Sequence, residues 1–185
     1  LTNTGKLQGG QSLSVGADSI DNRSSGEILA PELRVTAASS LTNRGLIDGD
    51  NTHLEAVTLN NLSGGRIYGN HLAIAASAIN NLPESGSAPI IGARQRLDLG
   101  ISTLNNHNGA LIFSTGDAFV GGALDANAQA SGSAALVHNH GATIEALGNL
   151  TIAAANVRNT NAKLVTETYT EGSRLIQEVQ PEGWS

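Results

Sequence analysis

The sequence predicts an all-β fold, a right-handed parallel β-helix (solenoid) of about eight rungs of roughly 20 residues each. Three observations predict it. An aliphatic-x-Asn triplet recurs along the chain, a glycine and a second aliphatic residue follow most triplets, and a third apolar piece of each repeat alternates with a period of two. Alternation over such short runs, bounded by Gly, Asn and Ser, marks half-buried strands. No stretch before residue 160 carries the i, i+3, i+4, i+7 spacing of an amphipathic helix.

Taken in order, the first strand of each repeat starts at Leu1, Ile20, Leu41, Leu59, Ile79, Leu104, Val137 and Val157, mostly 18 to 21 residues apart. The second lies near Leu7, Ile28, Ile47, Ile67, Ile90, Ile112 and Ile144. The third reads "LSV" at 13, "LRV" at 33, "LAI" at 72, "LDL" at 97 and "LTI" at 150. Three brief strands per turn stack on the turns above and below at about 4.8 Å per rung, giving a rod about 40 Å long. The right hand follows from the strong preference of parallel crossover connections.

The asparagines explain why the triplet recurs. In a strand, residues i and i+2 face the same way, so Asn43 points inward with Leu41. An isolated buried amide costs about 1–3 kcal/mol. Stacked amides avoid that cost by hydrogen-bonding from rung to rung, as in cross-β ladders. The expected ladder is Asn3, Asn22, Asn43, Asn61, Asn81, Asn106, Asn139 and Asn159. The alternative is that these residues populate solvated turns. A leucine-rich repeat has a similar period, but its L-x-x-L-x-L pattern is absent.

Two places lengthen the repeat. Residues 82–92, "LPESGSAPIIG", read as a loop leaving a corner, and residues 122–136, "GALDANAQASGSAAL", as a longer loop of small polar character. Solenoid insertions often form a binding face. The shaft is therefore read as residues 1–160, and residues 161–185, with the only tryptophan, as a capping or boundary segment in the form of a hairpin or extended strand.

Composition narrows the function. The net charge is −6 with only ten Lys and Arg, so no basic stripe suits a nucleic-acid backbone. No aliphatic run is long enough for a membrane span. Cysteine is absent, which excludes disulfides and thiolate metal sites. No secretory signal is read, and the chain opens within a repeat, as expected of a piece of something longer.

With the repeats laid out, "LTNTGKLQGG", "IDNRSSGEILA", "LTNRGLIDGD" and "LNNLSGGRIYG" resemble the haemagglutinin repeats of the filamentous haemagglutinin family, exoproteins of two-partner secretion. "VGGALDANAQASGSAALVHNHGATIEALGNLTIAAANVRNTNAKLVTE" is similar to a segment that recurs near the end of such repeat tracts. The resemblance covers nearly the whole chain and is weakest after residue 170. It implies a right-handed parallel β-helix, secreted through an outer-membrane two-partner-secretion transporter and displayed on a Gram-negative cell surface. The transporter recognises an N-terminal domain not found here. The parent would be a virulence-associated adhesin or the stalk of a contact-dependent growth-inhibition toxin. This chain would be its non-catalytic shaft, with a receptor- or glycan-binding module, or a polysaccharide lyase, as alternatives. Partners would be a host or neighbouring-cell receptor or glycan. The long coil between 104 and 137, with no asparagine at the third position of "LDA", departs from the pattern and leaves the ladder open to interruption there.

Other motifs are weaker. His138 and His140 of "HNH" share a face at strand spacing, but no third metal ligand of obvious spacing accompanies them. Asp48 and Asp50 offer oxygens for a hard cation. A lyase would need further acids from neighbouring coils, and Arg34, Arg66, Arg94 and Arg96 do not register with these two. Sequons begin at Asn22, Asn61 and Asn149, the first two within the inward ladder. No catalytic, cofactor-binding or metal-binding residue is assigned, and no cofactor is expected.

Overall fold

A computed structural model describes residues 1–161 and Gly172. The segment expected to cap or bound the shaft lies outside them, apart from Asn161 and Gly172. The described residues form a β-helix of about eight stacked coils, without helix. Its strands are β1 (Thr2–Asn3), β2 (Lys6–Gln8), β3 (Ser12–Asn22), β4 (Glu27–Leu29), β5 (Glu32–Asn43), β6 (Leu46–Asp48), β7 (Asn51–Leu62), β8 (Arg66–Leu82) and β9 (Ile90–His107). The later coils add β10 (Leu111–Ser114), β11 (Asp117–Gly121), β12 (Ala123–Leu124), β13 (Ala130–Ser131), β14 (Ala134–His140), β15 (Thr143–Ala146), β16 (Leu150–Ile152) and β17 (Ala154–Thr160).

Pairing between coils is parallel and in register, so each inward position becomes a column. One column runs Leu13, Leu33, Thr52, Leu72, Leu97, Ala118, Leu150, and a second Val15, Val35, Leu54, Ile74, Leu99, Val120, Ile152. The triplet aliphatics stack as Ile20, Leu41, Leu59, Ile79, Leu104, Val137, Val157. From Ile20 to Leu104 these triplet positions are at most 1% exposed. Each buried aliphatic contributes about 1.5–3 kcal/mol. Because like sits on like, the chain fills its core without large rings.

Two expectations are corrected. The third strand of one coil and the first of the next are not separate pieces: they join in β3, β5 and β7, and register shifts near Ala17/Ser19 and Ala37/Ser40 turn the corner within extended backbone. In the fifth coil the inward residue of the second strand is Ile91, 0% exposed and paired with Ile67 and Ile112, whereas Ile90 stacks outward between Arg66 and Leu111. The extra residues of the preceding loop shift the phase by one, and a one-residue shift exchanges faces.

Both insertions are tied down. In residues 83–89, Ser85 and Gly86 turn with positive φ, and Glu84 accepts hydrogen bonds from Arg44 Nε and Nη2 at 2.7 and 3.2 Å. The insertion at 122–136 is an antiparallel hairpin, β12 with β13, folded back over the outer surface of β9. Its close approach requires Gly100, where a Cβ would lie 2.4 Å from the backbone of Ala123 and Leu124.

Candidate functional site

The dominant polar feature is the amide column inside the coils. Nδ2 of Asn3 donates to Oδ1 of Asn22 at 2.8 Å, Asn22 to Asn43 at 2.8 Å and Asn43 to Asn61 at 2.9 Å. Asn61 donates to Asn81 at 2.9 Å, Asn81 to Asn106 at 2.8 Å, Asn106 to Asn139 at 2.8 Å and Asn139 to Asn159 at 2.9 Å. The ladder therefore crosses the long coil, where 33 residues separate Asn106 from Asn139, without interruption. The hairpin projects outward and leaves the inner register of Leu104 with Val137 untouched. Each amide from Asn3 to Asn139 also donates to a backbone carbonyl near the second strand, such as Glu27 for Asn3 and Thr143 for Asn106. Asn22, Asn43, Asn61, Asn81 and Asn106 are 0% exposed, so the sequons at Asn22 and Asn61 present no accessible amide. Asn149 donates through Nδ2 to Asp117 at 3.1 Å on the surface.

A second amide column went unread in the sequence. Asn105 donates to Asn80 and Asn80 to Asn60, both at 2.9 Å, on the outer side of the same strands. Its signal is the doubled asparagine at 60–61, 80–81 and 105–106.

The acids prove committed to internal partners. Arg94 does reach Asp48, with its two Nη atoms 3.0 Å from the two carboxylate oxygens, which corrects the expectation that it would not register with the acidic pair. The side chain spans the intervening coil. Asp50 accepts from Asn70 at 2.9 Å. An open groove of about 420 Å³ runs beside these groups.

Asp98 stands on an outward position of β9 yet is 0% exposed, because the hairpin covers it. Its oxygens receive Arg96 Nε at 2.6 Å, Arg96 Nη2 at 3.0 Å and the Ala130 amide at 2.8 Å, and His71 Nε2 lies 2.9 Å away. Burial raises its pKa, but the bonds with His71, Arg96 and Ala130 outweigh it and hold the carboxyl below its ordinary value. Arg96 also lies over the Phe119 ring, 4.1 Å from the centroid. A carboxylate with these partners anchors the hairpin and has little capacity left to act as a base. Beside it a groove of about 390 Å³ is lined by Arg34, His53, His71 and Ala128 of the hairpin tip. His53 is held below the usual imidazole range by burial and then by Arg34.

The histidines of "HNH" do not stand alone. His107, 31 residues before His138, sits in register with His140, and its Nε2 lies 3.2 Å from His138 Nδ1. The missing signal was positional: His107 follows Asn106 as His140 follows Asn139.

Comparison with family models, with curated proteins and with solved structures finds no match.

Proposed function

We propose that this chain is a section of the shaft of a large secreted bacterial surface exoprotein of the filamentous haemagglutinin type, carrying load and distance rather than chemistry. The observation that supports this reading most is the unbroken seven-bond amide ladder under in-register aliphatic columns. Such a stack resists bending and separation because each coil is bonded to the next through paired strands on its successive faces as well as through the amide ladder. The resemblance of its repeats to haemagglutinin repeats supplies the context: export through an outer-membrane transporter, and display of an adhesive or toxic end away from the cell.

A second reading, a glycan- or receptor-binding module, is favoured by the hairpin, which is docked on a buried carboxylate beside a groove. Deleting 83–89 and 125–133 in the parent protein and measuring cell attachment separates the two. Unchanged attachment with normal export supports the shaft. Lost attachment with normal export overturns it in favour of the binding module.

A further inference from the structure

Three of the chain's five histidines meet on one outer edge of the rod. The ring centroids are 4.7 Å apart for His107 and His138, 5.6 Å for His107 and His140, and 5.8 Å for His138 and His140. Strand alternation puts His138 and His140 outward on either side of the inward Asn139, and the register of β14 on β9 sets His107 against them from the preceding coil. The ladder bond from Asn106 to Asn139 fixes this juxtaposition from beneath.

We infer that His107, His138 and His140 form a three-imidazole site for a borderline divalent metal ion of the zinc class. Imidazole suits such ions, whereas calcium and magnesium prefer oxygen. Zn–N bonds of about 2.0–2.1 Å at tetrahedral angles place ligand nitrogens about 3.3 Å apart and ring centres about 5 Å apart. The 3.2 Å nitrogen separation and the three ring spacings already match that scale. As the rings stand, no three ligating groups among the described residues converge on one point. The hydrogen bond between His107 and His138 turns those two rings towards each other. Turning these partly exposed rings about χ2 breaks that bond. The ring that donated its proton takes the tautomer protonated at its other nitrogen, so that both facing nitrogens offer a lone pair to the ion as neutral imidazoles.

His140 Nδ1 lies 2.7 Å from Thr160 Oγ1, on the next coil. With the proton on Nδ1, the hydroxyl orients the ring and leaves Nε2 for the ion. The opposing charge is Arg158, in register with His138 but exposed, so its side chain can turn away. The bound ion would staple the sixth coil to the seventh.

The test titrates the chain with Zn²⁺ by calorimetry and with Co²⁺ by visible absorption. One equivalent is expected, with a four-coordinate Co²⁺ spectrum. His107→Ala and His140→Ala should abolish it, Thr160→Val should weaken it about tenfold, and His53→Ala should change nothing. Long-range ¹H–¹⁵N spectra of the unmutated chain, in which Zn²⁺ shifts the three named rings together, give a readout independent of how the variants fold. Absence of binding, binding that survives both alanine variants in folded protein, or shifts confined to His53 and His71 overturns the site.

Discussion

At the scale of single residues, the same amide has different worth on the two sides of a strand. Asn61 is fully buried and bonded to Asn43, Asn81 and the Ile90 carbonyl. Asn61→Ala removes the rung-to-rung acceptor of Asn43 and takes from the Asn81 Oδ1 and the Ile90 carbonyl the buried donor they share, so it should cost about 1–3 kcal/mol in chemical denaturation. Asn80 lies one position away on the outer column, half-buried, where water replaces lost partners. Asn80→Ala should cost less than about 1 kcal/mol. Equal losses would mean that the inner column carries no special energy. Spacing alone exposed the inner ladder, because an inward leucine fixes which way the residue two along must point. The outer column has no such anchor in the sequence. Thr52 shows the converse limit: it occupies a leucine column at 2% exposure, with its hydroxyl bonded to the Tyr68 carbonyl, and its polarity hid it from the apolar pattern.

At the scale of elements, the hairpin is where sequence reading ran out. Its small polar residues announce an insertion but not its direction. That is set by Gly100 and Asp98 on a strand 20 or more residues earlier, contacts with no local signature. Asp98 also makes the docking pH-dependent. Its folded-state pKa lies below its unfolded value, so the stabilisation is fully present above the ordinary carboxylate value of about 3.9. It is lost as pH falls through the lower folded value. The Ala130 amide resonance should therefore move as pH is taken from about 4 towards 2, and Asp98→Asn should flatten that titration. An amide shift unchanged across the range would show that the hairpin is held by other contacts. The strands beneath respond to a different insult. Ile74 is 0% exposed within β8, which is paired on both edges, so Ile74→Pro removes a ladder donor where no edge can absorb the loss. On the proposed shaft reading, with stepwise stacking outside the cell helping to draw the chain through an outer-membrane transporter, the full-length protein carrying Ile74→Pro should be secreted at reduced yield. Export at the normal level would separate stacking from translocation.

At the scale of the molecule, the stack makes each coil a module. Stability in such arrays is close to a sum over repeats and their interfaces, with contacts only between neighbours. The columns make that additivity testable in a way a globular core would not allow. Deleting 44–61 joins Asn43 to Leu62 and brings Asn81 into the place of Asn61, so the amide ladder and every aliphatic column stay in phase. The shortened chain should fold, keep its β-sheet circular dichroism, and unfold at a modestly lower denaturant concentration, because one repeat and one interface have been removed. Deleting only 44–52 removes half a coil. Leucine columns would then face asparagine columns, apolar residues would turn to solvent, and the ladder would lose its partner on one side. That chain should fail to give a cooperative transition. If the whole-coil deletion collapses as completely as the half-coil one, the fold is held by cooperation across the rod, not by its neighbouring rungs. If both survive, register is not what holds the coils together.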